Sequence, residues 1–361
     1  MTHLPIKGRG SISNDTPRFE ALQRTAFDDG WSSNQTDTTS CRPVTLVRTE
    51  TAKSIISHNN SPDIPFRQSI NPYRGCEHGC IYCYARPTHA YLNHSPGLDF
   101  ETQLYAKHNA AELLRKELSK PSYQPRLIAL GANTDPYQPI ERKLRITSSV
   151  LKVLNDFNHP VVITTKSAAI TQDTDLLADM ASRNLVRVYV SISCLDHHIT
   201  RTLEPRASAP AARLQTLAKL SGASIPVGVI VAPIIPALTD QDIEKVLFSA
   251  KEAGARHAAY VLLRLPLEIK TLFQEWLAVH HPLKADHVMN LITQMHNGKV
   301  YDSDFATRMK GSGIFAELIR QRFRRACASA GLNTDRRSYL EALSTAGFAV
   351  PDIAQAQGKL F

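Results

Sequence analysis

Apolar positions along the chain alternate between short unbroken runs rich in β-branched residues and stretches spaced at the helical period. The runs Phe66 to Tyr73, Leu127 to Leu130, Val161 to Thr164, Val186 to Ile192, Val227 to Val231 and Ala259 to Leu263 predict six strands. Between them, helical spacing predicts a helix over Phe100 to Leu118, carried by Leu104, Leu113, Leu114 and Leu118. A second opens at Pro139, carries Leu144, Leu151 and Leu154, and is broken by Pro160. Further helices are predicted over Asp173 to Arg183, over Arg206 to Leu220, and from a Thr239 cap to Gly254. Strands that are apolar on both faces and alternate with helices pair in parallel under a helical cover. Six such units are two short of a closed eightfold barrel, so the predicted fold class is α/β, a partial parallel (β/α)6 barrel. Chemistry in such barrels gathers at the C-terminal ends of the strands.

Flanking patterns divide the rest. Residues 1–62 are polar and turn-rich and predict a mobile or wrapping N-terminal extension, with Phe19, Leu22, Phe27 and Trp31 as its anchors. The barrel occupies 63–265, a helical C-terminal extension 266–332, and a weakly specified tail 333–361. With 43% hydrophobic residues, the 361-residue chain can bury a large core. Three of the six cysteines share one loop, while Cys41, Cys194 and Cys327 are scattered. That is no disulfide framework and points to a reducing, cytoplasmic setting. No apolar run approaches the ~18 residues of a membrane span, and the N-terminus lacks the apolar core of a signal peptide. A net charge of +9 and a pI near 9.3 permit an anionic partner, nucleic acid included. The basic cluster Arg320 to Arg325 reads equally well as a solvated helix face.

The first predicted strand runs into Cys76-Glu77-His78-Gly79-Cys80-Ile81-Tyr82-Cys83, with three thiols spaced Cys-x-x-x-Cys-x-x-Cys. Iron-sulfur cubanes normally take four thiolates, so three on one tight loop would leave one iron open to another ligand. The alternative is a Cys3His zinc site from Cys76, His78, Cys80 and Cys83. Structural zinc sites usually draw on two separated ligand pairs, and no second pair lies nearby. Polar residues follow the other strands at the same end of the predicted barrel: the turn Gly131 to Gln138, Lys166 with Ser167, Ser191 with Ser193, and Arg264.

The cysteine spacing, with an aromatic residue before the third cysteine, resembles the signature of radical S-adenosylmethionine (SAM) enzymes. Their core is a partial parallel barrel. The resemblance implies a 4Fe-4S cluster on Cys76, Cys80 and Cys83, whose open iron chelates SAM. It also implies an external one-electron donor of flavodoxin or ferredoxin type. The stretches Asn71 to Ala85, Thr134 to Glu141, Thr165 to Ser167 and Glu204 to Arg206 are similar to the branch related to spore photoproduct lyase. In that branch a hydroxyl-Asp pair, a lysine and a serine contact SAM, and the matching positions are Thr134 with Asp135, Lys166 and Ser191. On chemical grounds Asp135 and Thr134 suit the SAM ammonium, Lys166 the carboxylate, Ser191 or Ser193 the ribose, and the Tyr82 ring the adenine. The lyase carries a radical-quenching cysteine where this chain has Ala132, which speaks against thymine-dimer reversal by that route. Cys194 is a substitute hydrogen donor or an ordinary buried thiol. Tyr84, Tyr137 and Arg206 are further candidates for substrate contact or radical transfer. The activity implied is SAM cleavage to a 5'-deoxyadenosyl radical acting on an unassigned substrate. The alternatives are nucleic-acid photolesion repair and a non-catalytic zinc-binding nucleic-acid adaptor.

Overall fold

The computed structural model describes residues 5–21, 43–334 and 343–351. In chain order the strands are β1 (Leu46–Glu50), β2 (Ile56–His58), β3 (Gln68–Ile70), β4 (Tyr73–Arg74), β5 (Gln103–Lys107), β6 (Ile128–Leu130), β7 (Val161–Thr165), β8 (Val186–Ser191), β9 (Val227–Ile234) and β10 (His257–Leu262). The α-helices are α1 (Asp99–Thr102), α2 (Ala110–Leu118), α3 (Glu141–Leu144), α4 (Ile146–Asp156), α5 (Thr174–Ser182), α6 (His197–Leu203), α7 (Pro210–Gly222), α8 (Ile243–Glu252), α9 (Ile269–His280), α10 (Ala285–Met295) and α11 (Gly313–Ala330).

The main sheet has the order β10-β9-β8-β7-β6-β3-β2. Its six strands from β3 to β10 pair in parallel, as the apolar runs predict, and β2 closes one edge antiparallel to β3. The architecture is thus an open α/β parallel sheet among the described residues. The core lies between this sheet and its helices, where Val161, Ile163, Val186, Val188, Val190, Val229 and Val231 are buried against Leu151, Leu154, Leu177, Leu217 and Leu247. A second apolar cluster sits toward the strands' C-terminal ends. There Ile81, Leu203, Leu263 and Leu265 meet Phe273 and Trp276 of α9, so the C-terminal extension packs beside the cysteine loop. Trp276 Nε1 donates to the Thr202 carbonyl at 3.2 Å.

Four local expectations change. The single helix over Phe100 to Leu118 is interrupted by β5, whose Leu104 and Ala106 are buried while their neighbours are half-exposed, a period of two. β5 pairs in parallel with β1 and antiparallel with β4, forming a small second sheet, β1-β5-β4. The strand expected from Phe66 to Tyr73 breaks after Ile70, and Tyr73 turns into that second sheet. Arg206 lies in a turn, not a helix: α7 begins at Pro210, and the unpredicted α6 is capped by Asp196, which accepts from the amides of His198 and Ile199. Arg145, at φ 53°, divides the helix expected from Pro139 into α3 and α4. The polar stretch 1–62 contributes β1 and β2. Of its expected anchors, Phe19 packs on Tyr91 with ring centroids 5.2 Å apart, whereas Leu22, Phe27 and Trp31 lie outside the described residues, as does Cys41. On α11, Arg320 pairs with Glu317 and Arg322 with Glu244, so part of the basic cluster is spent on ion pairs.

Candidate functional site

The cysteine loop begins where β4 ends and is tied down on three sides. The Cys76 amide donates to the Phe100 carbonyl at 2.9 Å, the Ile81 amide to Leu203 at 3.1 Å, and the Arg206 amide to His78 at 3.1 Å. From within, fully buried Arg86 gathers the loop. Its guanidinium donates to the carbonyls of Cys80 (2.8 Å), Gly79 (3.0 Å), Pro96 (3.1 Å) and Gly97 (2.9 Å), and to Glu101 Oε1 (2.6 Å). Glu101, also fully buried, accepts the amides of Gly10 (3.0 Å) and Ser11 (2.8 Å). Arg9 donates to the Glu101 carbonyl at 3.0 Å. The N-terminal segment therefore straps the back of the loop, and it lies so close that a Cβ on Gly10 would sit 1.9 Å from the Gly79 oxygen. On the opposite side, Gln138 accepts the Glu77 amide at 2.9 Å and donates to the Gly75 carbonyl at 3.2 Å.

Cys76 and Cys80 are buried and Cys83 is half-buried. Burial holds the Cys76 thiol well above its ordinary range, reinforced by Asp135 and by the other two thiols. Cys80 is pushed up to about 12 by burial and Glu204, against the pull of Lys166. Three thiols that feel one another inside a poorly solvated pocket suit a cationic metal centre, which would offset the cost of ionising them. His78 is occupied elsewhere: its Nδ1 lies 3.4 Å from Asp135 Oδ2. Among the described residues no three His, Cys, Asp or Glu side chains are gathered as they would be round a single ion. With His78 turned to Asp135, the loop offers three thiols and no imidazole, a donor set that fits a three-thiolate cluster better than a Cys3His zinc site.

The turn after β6 is pressed onto the end of β7. Gly131 adopts φ 86°, and a Cβ there would stand 2.1 Å from the Thr164 oxygen. Within this turn the Thr134 hydroxyl is buried and donates to the Tyr73 carbonyl at 2.9 Å. Asp135 accepts from Thr165 Oγ1 (2.7 Å), the Tyr137 amide (2.9 Å) and the Lys166 amide (2.7 Å). Burial alone would raise its pKa, but His78 and these donors outweigh it and hold the carboxyl at about 2. Both groups are thus engaged in joining the ends of neighbouring strands.

The Lys166 ammonium lies 5.8 Å from the Tyr82 ring centroid and, among the described residues, makes no hydrogen bond or ion pair. Burial pulls its pKa down, yet the Cys80 thiol and the Glu204 carboxylate raise it more, so it stays charged. Tyr82 donates its hydroxyl to Glu204, which is fully buried and ion-paired with Arg213. Arg213 in turn donates to the Ser191 carbonyl at 2.8 Å. The Ser191 hydroxyl donates to the Ala232 carbonyl at 3.2 Å, and Ser193 is buried beside Cys194. Cys194 is itself buried in the second apolar cluster, its thiol pushed up to about 12 by burial. That is the environment of an ordinary buried thiol. Tyr84 is 44% exposed at the rim, with its hydroxyl donating to the Ala132 carbonyl and the Arg264 guanidinium 4.8 Å from its ring centroid. Arg206 pairs with Glu77 at 2.9 Å. Tyr137 is buried and donates to Asp173 at 3.0 Å, away from the mouth.

The structure thus brings the three thiols, Tyr82, Asp135 and Lys166 together, with Tyr84 and Arg206 at the margin. Sequence reasoning passed over Arg86, Glu101, Gln138, Glu204 and Arg213. Glu204 and Gln138 lie in turns already singled out, whereas the Arg86–Glu101–Gly10 contact has no local spacing that could announce it.

A sequence model of the Radical SAM superfamily matches residues 70–250. An uncharacterized protein of Mycobacterium tuberculosis is 38% identical over 225 residues, which cover 62% of this chain and 66% of that protein. The match therefore spans just under two thirds of that relative's length. An uncharacterized protein of Methanocaldococcus jannaschii is 28% identical over 171 residues, 47% of this chain and 61% of that protein. Among solved structures, spore photoproduct lyase complexed with dinucleoside spore photoproduct superposes with a TM-score of 0.53 at 16% identity, covering 79% of this chain and 80% of that one. A mutant of the same lyase with bound AdoMet and dinucleoside spore photoproduct superposes equally well. At this identity the likeness is one of fold. Together with the cysteine loop at the mouth of six parallel strands, the family match settles the assignment: the chain belongs to the radical SAM superfamily.

Proposed function

We propose that the protein is a radical SAM enzyme in which Cys76, Cys80 and Cys83 hold a 4Fe-4S cluster and an external one-electron donor of flavodoxin or ferredoxin type supplies the electron. When bound, the cluster reductively cleaves SAM to methionine and a 5'-deoxyadenosyl radical that abstracts a hydrogen from substrate. The observation that supports this reading is three thiols on one loop, close enough to influence one another electrostatically, at the C-terminal mouth of a parallel sheet, with the Lys166 ammonium, which makes no hydrogen bond or ion pair among the described residues, beside Cys80.

The remaining work falls to the chain's own residues. Lys166 offers its unpaired charge to the SAM carboxylate, and Asp135, ionised at any physiological pH, is the anion nearest for the ammonium. Thr134 and the Asp135 donors fix that turn, so the carboxylate is pre-placed. Tyr82, anchored through its hydroxyl to Glu204, presents a fixed ring to the adenine. Ser191 meets the ribose by exchanging the Ala232 carbonyl for a sugar hydroxyl, with Ser193 behind it. The buried Glu204–Arg213 pair holds Tyr82 from beneath. Tyr84 and Arg206 stand on the substrate side. Ala132 offers no thiol to a substrate radical, and Cys194 is fully buried in the second apolar cluster, so hydrogen return is assigned to another group or to the substrate itself.

Two observations favour a nucleic-acid substrate as the second reading: the net charge of +9 and the likeness of fold to spore photoproduct lyase complexed with dinucleoside spore photoproduct. The zinc-binding adaptor is opposed by the His78–Asp135 contact.

Protein purified and reconstituted without oxygen should carry iron and sulfide, show a 4Fe-4S EPR signal on reduction, and form 5'-deoxyadenosine from SAM and dithionite; Cys76→Ala should do none of these. A wild type that lacks the signal or the product refutes the reading. Stoichiometric zinc without iron or sulfide establishes the adaptor instead.

A further inference from the structure

β10 ends at Leu262, and the next three residues carry Arg264 into the mouth. Leu263 and Leu265 on either side are buried in the second apolar cluster. The Leu263 amide donates to the Ile234 carbonyl at 3.0 Å, and the Leu263 carbonyl lies 3.2 Å from His296 Nε2. The backbone at Arg264 is thereby fixed. Its guanidinium rests 4.8 Å from the Tyr84 ring centroid, and Tyr84 follows the third cluster cysteine directly.

Among the described residues this guanidinium makes no hydrogen bond and no ion pair. The carboxylate whose charge it feels, Asp63, is taken in both oxygens by Arg308 at 2.6 and 2.7 Å. Two guanidiniums thus share one carboxylate, which leaves one positive charge at the rim. The Tyr301 hydroxyl lies beside the same pair. The five N–H donors of this half-buried guanidinium are therefore open to an acceptor from outside the described residues. Burial and Arg308 also lower the Arg264 pKa, consistent with a cation that lacks its counterion.

The chain repeats the device across Cys83. Tyr82 carries Lys166 over its ring, on the side of Cys80 and Glu204, while Tyr84 carries Arg264 over its ring, on the side of Ala132. Each tyrosine is held by a hydrogen bond from its hydroxyl, and each cation is unpaired. If the first arrangement serves SAM, the second, at the exposed Tyr84 rim of the same mouth, is open to a substrate. A planar guanidinium fork over an aromatic ring recognises an oxyanion through two oxygens at once. With Arg308 spent on Asp63, the fork of Arg264 and the nearby Tyr301 hydroxyl are the donors left at the rim, and three oxygens of a tetrahedral oxyanion can use both where a carboxylate is filled by the fork alone.

We propose that Arg264, stacked on Tyr84, is the anchor for a phosphate group of the substrate, carried by a nucleotide or by a nucleic-acid strand. The word substrate rests on the radical SAM reading above; the phosphate subsite itself does not.

The test uses the reconstituted full-length protein. Fluorescence anisotropy follows a short fluorescein-labelled single-stranded oligonucleotide, with AMP, inorganic phosphate and acetate as competitors, for wild type, Arg264→Met, Arg264→Lys and the surface control Lys116→Met. Loss of a charge-assisted bidentate contact should weaken probe binding by roughly 10- to 100-fold in Arg264→Met. Arg264→Lys, which keeps the charge and loses the fork, should fall between, and Lys116→Met should match wild type. Displacement by AMP as effectively as by unlabelled strand assigns the phosphate to a free nucleotide; displacement by strand alone assigns it to nucleic acid. The proposal is overturned if wild type binds no probe, if Arg264→Met binds as wild type does, or if acetate competes as well as phosphate. Failure of the two readings is separable: SAM cleavage with Arg264-independent binding removes only the subsite, and Arg264-dependent binding without SAM cleavage removes only the enzyme.

Discussion

Replacing Glu101 by glutamine should unfasten the cluster loop from behind without touching a thiol. The Glu101 carboxylate is fully buried and neutralises Arg86 while accepting the Gly10 and Ser11 amides. A glutamine keeps the shape, but its NH2 must face one of these donors, and Arg86 is left as an unpaired buried cation. Breaking a buried pair on one side costs about 3–5 kcal/mol, and a buried donor facing another donor costs roughly 1–3 kcal/mol. The two overlap, so about 4 kcal/mol is expected, a large share of the ~5–15 kcal/mol that holds a typical domain folded. The assay is urea unfolding of the full chain, with iron bound per chain after reconstitution as a local readout. The unfolding midpoint and the iron content should fall together. A double-mutant cycle with Arg86→Met sharpens it: the pair should cost less than the sum of the single changes by about 2 kcal/mol, since the double variant strands no charge. Glu101→Gln within about 1 kcal/mol of wild type, or strict additivity with Arg86→Met, would refute the reasoning.

Gly10→Ala tests the same strap from the other side. With its Cβ 1.9 Å from the Gly79 oxygen, it should lower both midpoint and bound iron, whereas Gly222→Ala, which lies in α7 and meets nothing within 4 Å, should lower neither; a normal iron content in Gly10→Ala would sink the strap. Acid should destabilise the fold early. Burial, aided for His89 by His94, holds both His89 and His159 at about 4, against 6.5 when free. Stability is therefore full above pH 6.5 and lost as pH falls toward 4, by about 3 kcal/mol per histidine, and a urea midpoint that stays flat from pH 7 to pH 5 would contradict it. Lys166→Met should raise the SAM concentration for half-maximal 5'-deoxyadenosine formation by at least ~10-fold, with partial recovery in Lys166→Arg. An unchanged half-saturation would remove Lys166 from the SAM carboxylate.

What the sequence discloses and what it conceals follow the range of the interactions. The central parallel strands are legible because burial on both faces makes them rich in β-branched apolar residues, almost without interruption in Val227–Ile234 and at every second position in Val186–Ser191. The cysteine loop is legible because its three thiols fall within eight residues. β5 is hidden because Leu104 continues a plausible helical series, while the partner that makes it a strand, β1, pairs Leu46 with Gln103 across a long stretch of chain. The polar N-terminus reads as an extension because hydrophobicity is the only burial signal a sequence displays directly; Arg9 to Ser13 are buried through hydrogen bonds to Glu101 and to one another. Asp135 shows the subtler limit. Its place after the second parallel strand follows from the pattern, but the direction of its carboxylate depends on the Lys166 amide, Thr165 and His78, which come from other segments. A residue's position at the mouth is fixed by its own strand, whereas its orientation is fixed by its neighbours' strands. Lys166 and Arg264 show the same rule in reverse: among the described residues their neighbours offer them an aromatic face, Tyr82 and Tyr84, but no acceptor, and neither ring could be paired with its cation from the spacing of one strand alone.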